Sequence, residues 1–150
     1  MDWLEFIILV VPGFAASLDF GCFIFMHSTC RELPDREKVQ LEQRFLRTLN
    51  RFTPVLNGLS ILVLLTYAFR FKENNAANNA VWSALFFFSV ATAISIWLGR
   101  SIEQEINGWN PDLLPENWKS VRMSRTITQG LRASLQLLGF VLLCGSIAAR

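Results

Sequence analysis

Hydrophobic residues make up 52% of this 150-residue chain and charged residues 17%, with a formal net charge of +2. A soluble domain of this size spreads its charges along amphipathic faces. Here they fall almost wholly between four apolar runs, residues 3–27, 52–71, 80–99 and 131–149, which excludes a soluble fold. A helix rises about 1.5 Å per residue, so roughly 20 apolar residues cross a hydrocarbon layer about 30 Å thick. The pattern predicts a single all-α domain, a four-span transmembrane bundle.

The first run opens on Trp3, an interfacial anchor, and carries Pro12-Gly13, which predicts a kink. Only the acidic Asp2 and Glu5 stand at its start, so it does not read as a signal peptide. Leu33-Pro34-Asp35 reads as a break followed by an N-cap at Asp35. Residues 36–50 then repeat apolar side chains at helical period (Val39, Leu41, Phe45, Leu46, Leu49), with no breaker before Phe52. The second helix should therefore start outside the membrane and enter it without interruption. The Asn/Ala-rich stretch 73–79 is expected to be a short outer loop, with Asn79 capping the third helix, which continues through Ile106. Gly108, Pro111 and Pro115 make the next loop, between Trp109 and Trp118; the two indoles are expected to pack as a lid. The last helix restarts near Glu116. An up-down bundle results, its helices overhanging the membrane on one side.

Polar residues within the spans are few. Asp19 lies two to three turns from the inner end of the first helix, where a charge costs a few kcal/mol unless it faces the bundle and finds a partner. Asn50 and Asn57 share a face of the second helix. Thr92, Gly99 and Glu103, with Ser95 beside them, share one on the third, and Arg132, Gln136 and Gly139 one on the fourth. All fall in the same half of the bundle, so converging faces would form a polar pocket there. Asp19 and Arg132 are expected to pair in it, with Asn57 and Gln136 completing the hydrogen bonds. The single histidine, His27, sits at the inner end of the first helix and reads as an interfacial residue. One histidine and three scattered cysteines provide no metal-site spacing. Cys22 and Cys30, about 12 Å apart along one helix, cannot bridge. No cofactor or nucleic-acid motif is expected.

Residues 103–143 carry a more specific signal. Glu-Gln-Glu-Ile-Asn-Gly-Trp-Asn-Pro is followed by Leu-Pro-Glu-Asn-Trp-Lys-Ser-Val-Arg, then Gly-Leu-Arg leads into the last span. This order resembles the anthrone oxygenase-like family of small four-helix membrane proteins, on Trp109, Pro111, Pro115, Trp118, Arg122 and Arg132, with Leu49-Asn50 upstream. The resemblance implies a four-helix membrane fold and cofactor-independent oxidation of an anthrone to an anthraquinone. The family's His before the last helix aligns with Gln129, its Trp with Arg125 and an Asn with Glu103. An imidazole is the natural base for that substrate, and Gln129 cannot replace it.

Two readings of function follow. One is a pocket for a hydrophobic aromatic or quinone-like molecule entering from the bilayer. Its catalytic group would be Asp19, Glu103 and Arg132, with Asp19 or Glu103 as base and Arg132 holding an oxyanion. Asn50, Asn57, Thr92, Trp109, Trp118, Arg122, Gln129 and Gln136 would line it. The other is a non-catalytic membrane subunit, binding other membrane proteins or further copies of itself through Phe86-Phe87-Phe88 and the overhangs.

Segments 28–51 and 100–132 hold eleven of the fourteen basic residues. The positive-inside rule makes that side cytoplasmic, in a bacterial inner membrane or its equivalent, with both termini opposite. In a cysteine-free variant, a single cysteine at position 76 should react with an impermeant thiol reagent only from the non-cytoplasmic side. Labelling from the cytoplasmic side alone would reverse the topology.

Overall fold

The computed structural model describes residues 2–70 and 75–149. Its elements are α1 (Trp3–Arg31), α2 (Asp35–Arg70), α3 (Asn75–Ile94), a π-helical turn at Ser95–Gly99, α4 (Arg100–Asn107) and α5 (Trp118–Ala148). The π turn joins α3 to α4 without a break, so Ala76–Asn107 is one rod. The four rods of 29, 36, 32 and 31 residues are each apolar and long enough to span a membrane. The chain is thus an all-α bundle of four long helices and an integral membrane protein.

Side-chain pairings fix the directions. Ser146 reaches the Ala77 carbonyl and Arg132 reaches Ser95, so α3 runs antiparallel to α5. Phe140 lies against Gly13 and Gly130 against Phe23, so α1 is antiparallel to α5 as well. Glu42 meets Arg125 and Asn57 meets Gln136, so α2 runs parallel to α5. The up-down order expected from the sequence is observed. As expected too, α2 is continuous through Pro54, its first turns preceding the apolar run.

The half of the bundle nearer the termini is apolar. Ile8, Leu64, Tyr67, Val81, Phe88 and Leu143 are fully or almost fully buried there, among small residues such as Ala15, Ala16 and Ala84. Lipid tails are as apolar as leucine, so close backbone approach and van der Waals contact drive this association. Two glycines permit the approach here, and a third does so towards the basic end. A Cβ on Gly139 would stand 3.1 Å from the Phe88 ring and 3.3 Å from the Ala84 carbonyl oxygen; Gly13 lies under Phe140 and Gly130 under Phe23.

The π turn shifts the helix register. Ala77, Ala84 and Ala91 recur every seven residues on the buried face, yet Leu98 is 55% exposed and Glu105 is exposed, while Ile106 is fully buried. The stripe slips by one position within Ser95–Gly99, because an i→i+5 turn holds one residue more than an α turn. In an unbroken α-helix Ser95 and Glu103 would stand about 80° apart around the axis; the extra residue reduces this to about 20°.

Two expectations at helix starts are corrected. Helix α3 begins at Asn75, so Asn79 lies inside it and does not cap it. Buried Ala77, whose carbonyl accepts from Ser146 at 2.9 Å, extends the helix by packing on α5. Residues 73 and 74 of the expected outer loop lie outside the described residues. Asp35 is the first helical residue rather than the N-cap: the Lys38 amide donates to the Pro34 carbonyl at 2.9 Å, leaving Asp35 in the dipole-favoured first turn.

Replacing Gly139 with valine should destabilise the bundle by about 1–3 kcal/mol through overpacking against Phe88 and Ala84. Gly58→Ala, where nothing lies within 4 Å, should cause no loss. Thermal unfolding in detergent of the two variants beside wild type checks the contrast.

Candidate functional site

The other half of the bundle is held by charge. Helix α5 places Arg122, Arg125, Gln129, Arg132 and Gln136 at three- and four-residue steps, so they form one inward stripe. Each meets a residue from another rod or a cavity between rods.

Arg132 is the deepest cation. Its Nη2 lies 3.1 Å from Asp19 Oδ1 on α1, and its Nη1 donates to Ser95 Oγ at 2.8 Å in the π turn. Asp19 is 2% exposed and Arg132 8%. Gln136, one turn further along, sits beside the Asp19 carboxylate and donates to Asn57 Oδ1 on α2 at 3.1 Å. The four residues expected to converge therefore do so, and Ser95 joins them.

Nearer the basic end, Glu42 of α2 takes two guanidiniums: Arg125 Nη1 at 2.6 Å and Arg122 Nε at 2.8 Å. Next to it, Gln43 donates from one amide nitrogen to the Ile106 and Trp109 carbonyls, at 2.8 and 2.9 Å. The Ile106 oxygen lies in the last turn of α4 and the Trp109 oxygen two residues past it, so α2 caps α4. Trp109 and Trp118 are both half-buried. Trp109 is anchored through its backbone; Trp118 opens α5 and has the Lys119 ammonium 5.7 Å from its ring centroid.

Glu103 is half-buried, beside Asn50 and within the fields of Arg125 and Arg132. It lines a crevice between the π turn and α5, with Ser95, Gly99, Thr128, Gln129 and Arg132 around it. The free volume is about 20 Å3, room for one water-sized atom. A second space of the same size adjoins it through Arg125 and Gln129, bounded by Glu42, Arg122, Cys30 and Phe23. Asp19 Oδ2, Arg125 Nε, Arg132 Nε and Gln136 Oε1 are buried without a hydrogen-bond partner among the described residues. Chemically, the crevice offers a carboxylate beside two guanidiniums, a combination that accepts a proton and stabilises an oxyanion.

Not every expected residue joins. Thr92 spends its hydroxyl on the Phe88 carbonyl of its own helix at 2.8 Å, as membrane helices commonly arrange, and lines neither space. Asn50 is exposed except for its approach to Glu103. Arg122 is engaged by Glu42. Ser95 was expected beside that pocket and joins it, whereas Glu42, Gln43 and Arg125 were not among the candidates. For Glu42 and Gln43 a signal existed: they sit between Val39 and Leu46 on the buried stripe of α2. The three cysteines are free.

Compared with protein-family models, curated proteins and solved structures, the chain matches none of them.

A double-mutant cycle on Asp19→Asn and Arg132→Gln should show coupling. Asp19→Asn alone leaves a buried guanidinium without its counter-charge and should cost on the order of 3 kcal/mol; adding Arg132→Gln should restore about 1 kcal/mol or more. Thermal unfolding of the four proteins measures both quantities.

Proposed function

We propose that this protein binds a hydrophobic aromatic or quinone-like molecule arriving from the bilayer, with an oxygen of that molecule docked in the crevice between the π turn and α5. The observation that carries this reading is the crevice floor, where Glu103 stands with Arg132, Gln129 and Arg125 around a space sized for a single oxygen atom. The ring body would remain outside, against the exposed Ile96, Trp97 and Leu98 of the π turn. The guanidiniums would hold a carbonyl or enolate oxygen, and Glu103 would exchange its proton. Asp19 is committed to Arg132 and does not line the crevice, so Glu103 is the stronger candidate base. π turns within membrane-length helices frequently mark functional sites, which supports the same location.

The resemblance to the anthrone oxygenase-like family extends this to oxidation of the bound molecule by dioxygen without a cofactor. With Gln129 at the family's histidine position, Glu103 would have to serve as the base. A second reading, a non-catalytic membrane subunit, is favoured by the interior itself, where Asp19 and Glu42 already have arginines as counter-charges. In both readings the basic end faces the cytoplasm and the termini lie opposite.

Solvent extraction of the purified protein followed by mass spectrometry should recover an aromatic or quinone-like molecule in near-stoichiometric amount. Thr128→Leu, which fills the crevice wall, should reduce that amount at least tenfold without unfolding the protein. A wild-type preparation carrying lipids alone removes the binding reading; a co-purifying membrane protein in its place supports the subunit reading.

A further inference from the structure

A groove of about 380 Å3 runs between the last turn of α1, the start of α2 and the start of α5, separate from the crevice. Four cationic side chains line it, Arg31, Lys38, Lys119 and Arg122, against one carboxylate, Asp35. Two of the cations are already engaged: Lys38 lies 3.7 Å from Asp35, and Arg122 is bonded to Glu42. Arg31 and Lys119 have no carboxylate partner among the described residues. The Trp118 ring holds the Lys119 ammonium at the groove by a cation–π contact.

A second groove, of about 530 Å3, shares His27 and Arg31 with the first and continues onto Phe23 and Ile24, with Glu32 at its edge. Phe23 is held in place: its ring stacks on His27 at 6.3 Å and lies over Gly130, 2.9 Å from where a Cβ would stand. Two unpaired cations thus adjoin a fixed apolar wall at the end of the membrane-spanning segment.

We propose that these joined grooves bind one anionic phospholipid, its phosphate between Arg31 and Lys119 and an acyl chain along Phe23 and Ile24. A phosphodiester accepts charge-assisted hydrogen bonds from a guanidinium and an ammonium together. Basic pockets between membrane helices recognise anionic headgroups in this way. A zwitterionic lipid brings its own cation to a site that already has two in excess. Free phosphate has no chain to place on the apolar wall.

The test is thermal unfolding of delipidated protein in mild detergent, with dioleoylphosphatidylglycerol, dioleoylphosphatidylcholine or inorganic phosphate added. Phosphatidylglycerol should raise Tm by about 4 °C near saturation, and the other two by less than a quarter of that. The double variant Arg31→Gln with Lys119→Gln, both exposed positions, should keep its basal Tm and lose the phosphatidylglycerol shift. An equal shift from phosphatidylcholine or phosphate, or a shift retained by the double variant, overturns the proposal. Should that variant fail to fold, native mass spectrometry of wild type decides: retention of phosphatidylglycerol over phosphatidylcholine at equal supply supports the site, and equal retention overturns it.

Discussion

A guanidinium within the membrane-spanning part of a bundle must find its counter-charge there, because hydrocarbon provides none. Arg132 finds Asp19 on α1 and Ser95 in the π turn, so one side chain of α5 ties two other rods to its own. Its partners come from separate elements and are met at about 3 Å. Those contacts exist only when the helices are correctly rotated and at the correct depth. Apolar packing alone specifies depth poorly, since one leucine face slides past another at little cost. The ion pair supplies the registration that the apolar half lacks.

The two halves of the bundle divide the work accordingly. Towards the termini, glycines and alanines under aromatic rings bring backbones close, and contact area holds them. Towards the basic end, three carboxylates (Asp19, Glu42, Glu103) stand among three guanidiniums (Arg122, Arg125, Arg132). Equal numbers leave this interior without net charge when all six are ionised. Gln43 ties α2 to the end of α4 through backbone carbonyls, so the short loop that follows begins from a fixed point.

Much of this was legible in the sequence, for physical reasons that also explain what was not. Apolar runs of bilayer length announce their spans directly, and Asp19, Arg132, Asn57 and Gln136 were visible as polar residues in an apolar setting. Glu42 and Arg125 lie in stretches rich in charge, where one more charged residue looks solvated; only the spacing of Val39 and Leu46 shows that Glu42 faces inward. The start of α3 was misplaced because asparagines read as turn formers in isolation, while packing of Ala77 on α5 prolongs the helix. The π turn has no residue signature at all. Its one trace is the slip of the buried stripe from a seven-residue spacing, visible once Ile106 and not Glu105 is known to be inside.

That slip relaxes a constraint on chain length, since inside a regular helix one residue more or fewer turns all that follows by about 100°. Deleting one codon within 95–99 would restore regular α-helical winding and leave every amino acid outside the deletion unchanged. All that follows the deletion would then keep its orientation to what precedes it, because the residue lost is the extra one that the π turn absorbs. Glu103 would still face Arg125 and Arg132, and the Ile106 carbonyl would still reach Gln43. The gene carries one residue more here than a regular helix of this span requires, and losing it would cost the π turn itself while the register of the rod is kept.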